Sequence, residues 1–289
     1  MKFFVLAMIL LAPPVVCGQS LSARIAHTDP TKYSAEPAEH GGAGELRYEV
    51  LFDEQVFHSN LLFLHRGVLP PRSGIGHHYH NQMEEMFVIL DNQAQFTIDG
   101  RTALIQGPAG APCRMGRSHA IYNPTDRPTE FMNIAVASVK GHYDNYDLDD
   151  DRVGVPLDPK PVFITMRLDR TLLKAVEHLH GGNGTAHYRR ALEPEVFFTN
   201  WAYVDHLVLP PGVSVGRHMH TGIEEFYYVI RGDGLARIDA DSAGIHTGDA
   251  VPVLFNEVHS FENSGSGDLE FLIVGVAREK GKLDVTDVK

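Results

Sequence analysis

Short runs of hydrophobic residues recur along most of the chain, and glycine, proline, asparagine and aspartate separate them. Runs of this length that are rich in β-branched and aromatic side chains are typical of β-strands. The first half of the chain contains the predicted strands 46–52, 61–69, 85–90, 95–98, 119–122 and 131–139. The second half contains the predicted strands 187–192, 201–209, 225–230, 235–238, 259–262 and 269–276. Many short strands at this spacing indicate an all-β protein, either a barrel or a sandwich.

The two halves repeat each other at an offset of about 140 residues, and the match runs from His40 to Ala137 in the first copy. Each copy contains the pattern His-x-His-x4-Glu, followed later by a single histidine. The members of these two patterns are His78, His80, Glu85 and His119 in the first copy, and His218, His220, Glu225 and His259 in the second. The chain therefore arose by internal duplication.

Each pattern predicts one metal site. Residues two apart on a strand point to the same face, so His78 and His80 project together, and the two later members come from neighbouring strands. Glu85 is preferred over the adjacent Glu84 because it shares a strand face with Phe87, and we expect Glu84 and Glu224 to point away from the metal. Three imidazoles and one carboxylate suit a divalent transition metal.

The first 18 residues differ from the rest of the chain. Met1 and Lys2 lead into an apolar run that ends near Cys17, which is the pattern of a secretory signal peptide. We expect cleavage after Gly18 and a secreted or periplasmic protein. A lipid anchor on Cys17 is the minor alternative. After cleavage, Cys113 would be the only cysteine, so an intramolecular disulfide would be impossible.

Charge and hydropathy narrow the range of partners. The formal net charge is -12, and the sequence has no run rich in lysine and arginine. Both observations argue against nucleic acid as a partner. After the leader, no apolar run has the length of about 20 residues that a membrane span needs. We expect a small-molecule substrate, which could be anionic, and a homo-oligomer is possible.

The repeat divides the chain into six segments. They are a signal peptide (1–18), an irregular N-terminal arm (19–39), barrel 1 (40–140), a linker (141–179), barrel 2 (180–279) and a C-terminal tail (280–289). The linker begins with an acidic cluster, for which a solvated surface is favoured over a calcium loop. It ends with Arg170 to Glu177, the one stretch there with the pattern of a short helix.

The ligand pattern resembles that of the cupin superfamily, and the duplication resembles a two-domain bicupin. Copy two matches the first cupin motif in full with Gly212, His218, His220, Glu225 and Gly232, whereas copy one has Arg72 and Asn92 at the glycine positions. The second motif is weaker in both copies, although His119 with Asn123 and His259 with Asn263 fit it. The resemblance implies two tandem jelly-roll-like β-barrels with one metal each, where Fe or Mn is favoured and Zn, Ni or Cu is possible.

The copies diverge beside the expected metals, where catalytic groups should be sought. Arg117 lies two residues before His119 and could hold an anionic substrate, and its counterpart Glu257 could transfer a proton. The alternative for both is an exposed position at the rim. Tyr227 takes the place of Phe87 on the inward face and adds a hydroxyl group, although it could also be simply a core residue.

The resemblance leaves the reaction open. We expect a metal-dependent enzyme that acts on a small organic substrate, with an oxidoreductase of the dioxygenase type as the first hypothesis. A lyase, a decarboxylase or a sugar or uronate isomerase is the second. A non-catalytic protein that binds metal and sugar is the third, although retention of all eight ligands argues against it.

Overall fold

The computed structural model of the protein describes residues 19–289, so the expected signal peptide lies outside the described residues. Within that range no helix combines the length and the apolar character needed to cross a membrane. Strands dominate, as the sequence predicts. The only α-helix in residues 19–289 is α1, a single turn over Leu21–Arg24, and short 3-10 helices lie at Pro30–Lys32, Glu39–Gly41, Arg170–Leu172, Leu179–Gly181 and Pro194–Val196.

The strands form two matching series. The first series is β1 (Ala26–His27), β2 (Ser34–Pro37), β3 (Glu45–Phe52), β4 (Leu61–Leu69), β5 (Gly74–Tyr79), β6 (Met83–Ile89), β7 (Gln93–Ile98), β8 (Arg101–Gln106), β9 (Ala109–Cys113), β10 (Ser118–Tyr122), β11 (Thr129–Ala137) and β12 (Tyr146–Asp147). The second series is β13 (Met166–Arg167), β14 (Lys174–Glu177), β15 (Thr185–Leu192), β16 (Trp201–Leu209), β17 (Ser214–Met219), β18 (Ile223–Arg231), β19 (Asp233–Ile238), β20 (Asp241–His246), β21 (Asp249–Val253), β22 (His259–Glu262), β23 (Leu269–Ala277) and β24 (Thr286–Asp287). Each strand of the first series has its counterpart in the second, so the duplication extends upstream of His40 to β1.

Each barrel consists of one seven-stranded and one five-stranded antiparallel sheet. In barrel 1 the orders are β13-β9-β6-β11-β4-β3-β2 and β12-β5-β10-β7-β8. In barrel 2 they are β1-β21-β18-β23-β16-β15-β14 and β20-β19-β22-β17-β24. Aromatic side chains fill the interiors, with Phe87, Phe96 and Phe131 in barrel 1 and with Phe261 and Phe271 in barrel 2.

The two barrels exchange their first strands. β1 precedes barrel 1 but pairs with β21 of barrel 2, with Ala26 opposite Ala250. Its counterpart β13 precedes barrel 2 but pairs with β9 of barrel 1, with Met166 opposite Gly110. Each barrel therefore completes its larger sheet with a strand from the other half of the chain.

A shared hydrophobic core lies between the seven-stranded sheets. Phe52 and Met132 of barrel 1 belong to the same buried cluster as Trp201, Phe226 and Leu272 of barrel 2. Strand alternation explains the arrangement, because one face of each of these strands lines its own barrel while the other contacts the partner barrel. Strands buried on both faces need apolar residues at nearly every position, which these sequences supply.

Two glutamates join the barrels reciprocally. Glu84 lies next to the expected ligand Glu85 and points away from its own barrel, as the strand alternation predicts, but it is buried and not solvated. Its carboxylate accepts hydrogen bonds from the backbone N–H groups of Phe198 and Thr199, at 2.8 and 2.7 Å, and from the Thr199 hydroxyl. Glu224 likewise accepts hydrogen bonds from the backbone N–H groups of residues 58 and 59 of barrel 1.

Two expectations for the connecting segments need correction. The expected helix at Arg170 to Glu177 is a 3-10 turn followed by β14, because Lys174 pairs with Tyr188 at the edge of the larger sheet of barrel 2. The N-terminal arm is not irregular, since it contains α1, β1 and β2 and packs on both barrels. Both structures are determined by backbone pairing with distant strands, and this pairing cannot be predicted from the local sequence.

Candidate metal centres

The eight predicted ligands form two compact and buried groups, one in each barrel. His78, His80, Glu85 and His119 place one ligand atom each within 4.8 Å of one another, and so do the four residues of barrel 2. In barrel 1 the three histidines come from β5, the residue after it, and β10, which lie in the five-stranded sheet. The carboxylate comes from β6 of the opposite sheet. Each site therefore links the two sheets of its barrel.

Strand register brings the ligands together. His119 on β10 lies directly opposite His78 on β5, and His259 has the same register with His218. In barrel 1 the Nε2 atom of His119 is 3.0 Å from that of His78 and 3.2 Å from that of His80. Two donors at right angles, each about 2.1 Å from a metal, would lie about 3 Å apart.

The hydrogen bonds of the ligand rings leave their Nε2 atoms free to bind a cation. Nδ1 of His78 donates to the carbonyl of Gly76 at 2.8 Å, and Nδ1 of His80 donates to the carbonyl of Asp144. Their Nε2 atoms then carry lone pairs that face each other and the Glu85 carboxylate, 2.8 Å from His80. Such a cluster is unfavourable without a positive ion, so the residues fit a divalent metal.

The pKa values of His119, His218 and Glu85 agree with this interpretation, whereas the contact with Glu85 outweighs burial and raises the pKa of His80. Burial, followed by the proximity of His78, lowers the pKa of His119 to about 3. In barrel 2 burial and nearby His259 lower the pKa of His218 to about 3 in the same way. Burial alone would raise the pKa of Glu85, but its contacts with His119, His78 and His80 outweigh burial and hold the pKa well below its usual value. Neutral imidazole and ionised carboxylate are the forms that bind metals.

A further histidine in each barrel supports the ligands, and its role was not apparent from the sequence. His40 stacks on His78 with ring centroids 3.8 Å apart, and its Nδ1 lies 2.7 Å from the carboxylate of Asp147. His180 stacks on His218 at 4.0 Å and contacts Asp287 at 2.7 Å. The recurrence of both pairs at the repeat offset is the signal that could have revealed them.

The segments predicted as linker and tail take part in the sites. β12 adds to β5 beside His78, and β24 adds to β17 in the same way. The carbonyl groups of Asp144 and Asp284 accept from His80 and His220. The Asp144 carboxylate also accepts backbone N–H groups at residues 81 and 82. This part of the acidic cluster therefore has protein partners and does not form a calcium loop.

The contacts of the metal-binding carboxylate differ between the barrels. In barrel 2 the hydroxyl of Tyr203 donates to Glu225 at 2.7 Å, and the hydroxyl of Tyr227 lies 3.3 Å from its other oxygen. In barrel 1 the amide of Asn133 donates to Glu85 instead. Tyr227 therefore lies beside the ligands, as predicted, whereas Tyr203 and Asn133 were missed. The sequence signal was the mismatch of these positions between the repeats.

Arg117 and Glu257 do not reach the metal groups. β10 begins at Ser118, so Arg117 lies in the preceding turn and not on the inward face of the strand. Its side chain is 60% exposed and pairs with Asp99 at 2.9 Å. Glu257 lies in the corresponding turn and binds Arg24 at 2.6 Å. Neither residue lines the cavity next to its metal group. The exposed alternative describes Arg117, whereas the side chain of Glu257 is 15% exposed and is held by its ion pair with Arg24.

Each metal group lies in the wall of a cavity. The cavity of barrel 1 has a volume of about 400 Å³ and includes His78, Glu85 and Phe87 in its lining. The cavity of barrel 2 has a volume of about 330 Å³ and includes His218, His220, Glu225 and Tyr227. Volumes of this size admit a small organic molecule next to the metal.

Comparisons with known proteins agree with this architecture. The family described as "Cupin domain" matches residues 205–275. An oxalate-binding protein from Thermotoga maritima is 35% identical over 99 residues, which are 34% of this chain and 82% of that protein. Solved structures of oxalate decarboxylase from Bacillus subtilis and Lactobacillus farciminis share the fold, with TM-scores of 0.63 and 0.64. Both are 16% identical and match 91% of this chain, and the matches cover 78% and 88% of those chains. The chain therefore belongs to the cupin family, as a two-barrel member with a metal-binding group in each barrel.

Proposed function

We propose that the protein is a metal-dependent enzyme that decarboxylates a small organic acid. The observation that carries the proposal is the position of each group of three histidines and one glutamate in the wall of a small cavity. Four protein ligands leave two positions of a six-coordinate metal for the oxygen atoms of a substrate. Fe(II) or Mn(II) is the proposed metal, and it would act as a Lewis acid that polarises a carboxylate oxygen.

The relatives support a carboxylate substrate. The Thermotoga protein is named for oxalate binding, and the two structural relatives are named for oxalate decarboxylation. A study of the Bacillus enzyme refers to its Mn(II) centres. Decarboxylation of hydrogen oxalate breaks its carbon–carbon bond, releases carbon dioxide and leaves the proton on formate. No external oxidant is consumed overall, which distinguishes this reaction from oxygenation.

An oxidoreductase of the dioxygenase type is the second candidate. The donor set favours it, because neutral imidazoles with one carboxylate bind redox-active divalent metals and leave open positions. Non-catalytic binding of a small acid is the third candidate, and the name of the Thermotoga relative supports it.

A single assay separates the three candidates. Protein loaded anaerobically with Mn(II) or Fe(II) is incubated with oxalate and related acids, and carbon dioxide, formate and dioxygen are measured. We expect carbon dioxide and formate in equal amounts, with no matching uptake of oxygen. Stoichiometric oxygen uptake would support the dioxygenase, and binding without turnover would support the binder. The His78→Ala and His218→Ala variants should each lose one metal per chain, and turnover that survives loss of both metals would refute the proposal.

We also propose that the protein is exported, on the basis of the leader pattern in residues 1–18. Mass spectrometry of the protein recovered from the secreted or periplasmic fraction should show a mature N-terminus close to Gln19. An intact Met1 in the cytoplasmic fraction alone would contradict export.

A further inference from the structure

The cavity of barrel 2 contains an arginine that is held in a fixed position. Arg190 on β15 lines this cavity together with His218 and Glu225. Its Nε and Nη2 atoms donate to the carboxylate of Asp205 at 3.0 and 3.2 Å. The guanidinium group also lies over the ring of Tyr203, 4.1 Å from its centroid. An ion pair and an aromatic face therefore fix the orientation of this cation.

One edge of the guanidinium group remains available to a ligand. The Nη1 atom of Arg190 has no hydrogen-bond partner among residues 19–289, and the side chain is 25% exposed. The ring of Tyr203 carries Arg190 on its face, and its hydroxyl donates to Glu225. A single aromatic ring thus separates the guanidinium group from a metal-binding carboxylate. A small ligand in the cavity can contact both the arginine and the metal site.

Barrel 1 lacks this arrangement. Val50 is the counterpart of Arg190 and is 52% exposed, and His65 is the counterpart of Asp205. In the part of the chain that the structure describes, no arginine or lysine lines the cavity of barrel 1. Its lining instead includes the carboxyl groups of Glu39 and Glu54. The lining of barrel 2 also includes Asp205 and Asp284, so the two cavities differ in the presence of a cation beside the metal group and not in the sign of their net charge.

We propose that Arg190 is the carboxylate anchor of barrel 2, so that this barrel alone binds a small dicarboxylate. One carboxylate of the ligand accepts hydrogen bonds from Nη1 of Arg190, and oxygen atoms at its other end face the metal group. Asp205 positions the guanidinium group and competes with the ligand carboxylate for interaction with the positive charge of Arg190. Barrel 1 binds uncharged ligands or none. This inference rests on the proposed function only in taking a small organic acid as the ligand.

The test uses the full chain loaded with Mn(II) and calorimetric titration with oxalate, malonate and succinate. We expect one anion site per chain. The Arg190→Gln variant should weaken binding of the preferred anion about 10- to 100-fold, the usual effect of losing a hydrogen bond to a charged group. The Arg189→Gln variant is the matched control, because the neighbouring Arg189 donates to the carbonyl of Arg167, does not line the cavity and should leave binding unchanged.

The Asp205→Asn variant makes the test independent of folding defects. Removing this carboxylate frees the guanidinium group and makes the cavity more positive, so we expect anion binding to tighten several-fold. A damaged fold cannot produce such a gain. The inference is overturned if Asp205→Asn fails to tighten binding, if Arg190→Gln has no more effect than Arg189→Gln, or if both barrels bind the anion equally.

The outcomes also separate this inference from the proposed function. Binding of a dicarboxylate that depends on Arg190, without turnover of any acid, would support the anchor and reject the decarboxylase. Turnover that is unaffected by Arg190→Gln, together with unchanged binding, would support the decarboxylase and reject the anchor.

Discussion

Replacement of Glu84 by alanine should destabilise the protein, because it removes hydrogen bonds that join the two barrels. The Glu84 carboxylate is 1% exposed and accepts hydrogen bonds from two backbone N–H groups and one hydroxyl of barrel 2. In the variant, the N–H and the hydroxyl of Thr199 stay buried without an acceptor, whereas the N–H of Phe198 is partly accessible to water. The metal ligand Glu85 is adjacent but faces the opposite side of the strand, so the metal site is not changed directly.

The contacts set the size of the effect. Each buried donor left without a partner costs about 1 to 3 kcal/mol. Removing the carboxylate also removes the cost of burying its charge, which offsets part of the loss. With two buried donors and this offset, a decrease in the free energy of unfolding of about 2 to 5 kcal/mol follows, and for a chain of this size it lowers the Tm by roughly 3 to 8 °C. Glu84→Gln keeps one acceptor oxygen and should cost about half as much.

Differential scanning calorimetry of the metal-loaded protein measures the effect. Glu36→Ala is the control, because Glu36 lies exposed on the edge strand β2 and should leave the Tm within about 1 °C. A Glu84→Ala variant whose Tm falls no more than that of the control would refute the reasoning. In that case the loop at residues 197–200 would find other acceptors when the carboxylate is absent.

Three further predictions concern single side chains. Tyr203→Phe removes a hydrogen bond to Glu225 and should weaken metal retention in barrel 2 alone by about 10-fold, measured by chelator competition in the His78→Ala background. Burial lowers the pKa of His65 to about 4. Between pH 6.5 and 4, His65 is therefore protonated in the unfolded chain but neutral in the folded chain. Stability is therefore lost as the pH falls through that window, by up to about 3 kcal/mol, and His65→Gln should flatten this dependence in denaturant titrations. Asn123 is buried and its amide donates to three backbone carbonyls, so Asn123→Ala should cost about 2 to 3 kcal/mol and lower the Tm by roughly 5 °C.

The metal ligands and the strand series could be predicted because their signals are local and duplicated. A histidine pair two residues apart, followed by a glutamate at fixed spacing, is weak evidence for a metal site when it occurs once. Its recurrence at the repeat offset is strong evidence for such a site in each copy. Strand alternation then selected Glu85 over Glu84, and the structure places Glu85 with the ligands and Glu84 at the other barrel. Period-two alternation is a property of the backbone, so it applies wherever a strand is correctly identified.

The remaining features depend on contacts that sequence patterns do not encode. β1 and β13 have two residues each, too few to show a period, and their partners lie in the other half of the chain. Arg117 was assigned to the same face as His119 by extending strand alternation upstream of the predicted strand 119–122. β10 begins at Ser118, so Arg117 lies in a turn, where alternation does not set the direction of a side chain.

The reciprocal exchange of β1 and β13 has a consequence for how this chain came to exist. A polypeptide with one repeat would lack a strand in its larger sheet and would expose the surface that the other barrel now covers. Two identical copies could satisfy both needs at once by associating about a two-fold axis. The chain therefore corresponds to a homodimer whose subunits have become covalently joined. In a homodimer the two cavities must be identical. Joining the subunits removed that constraint, so one cavity can have Arg190 while the other copy has Val50 at the same position.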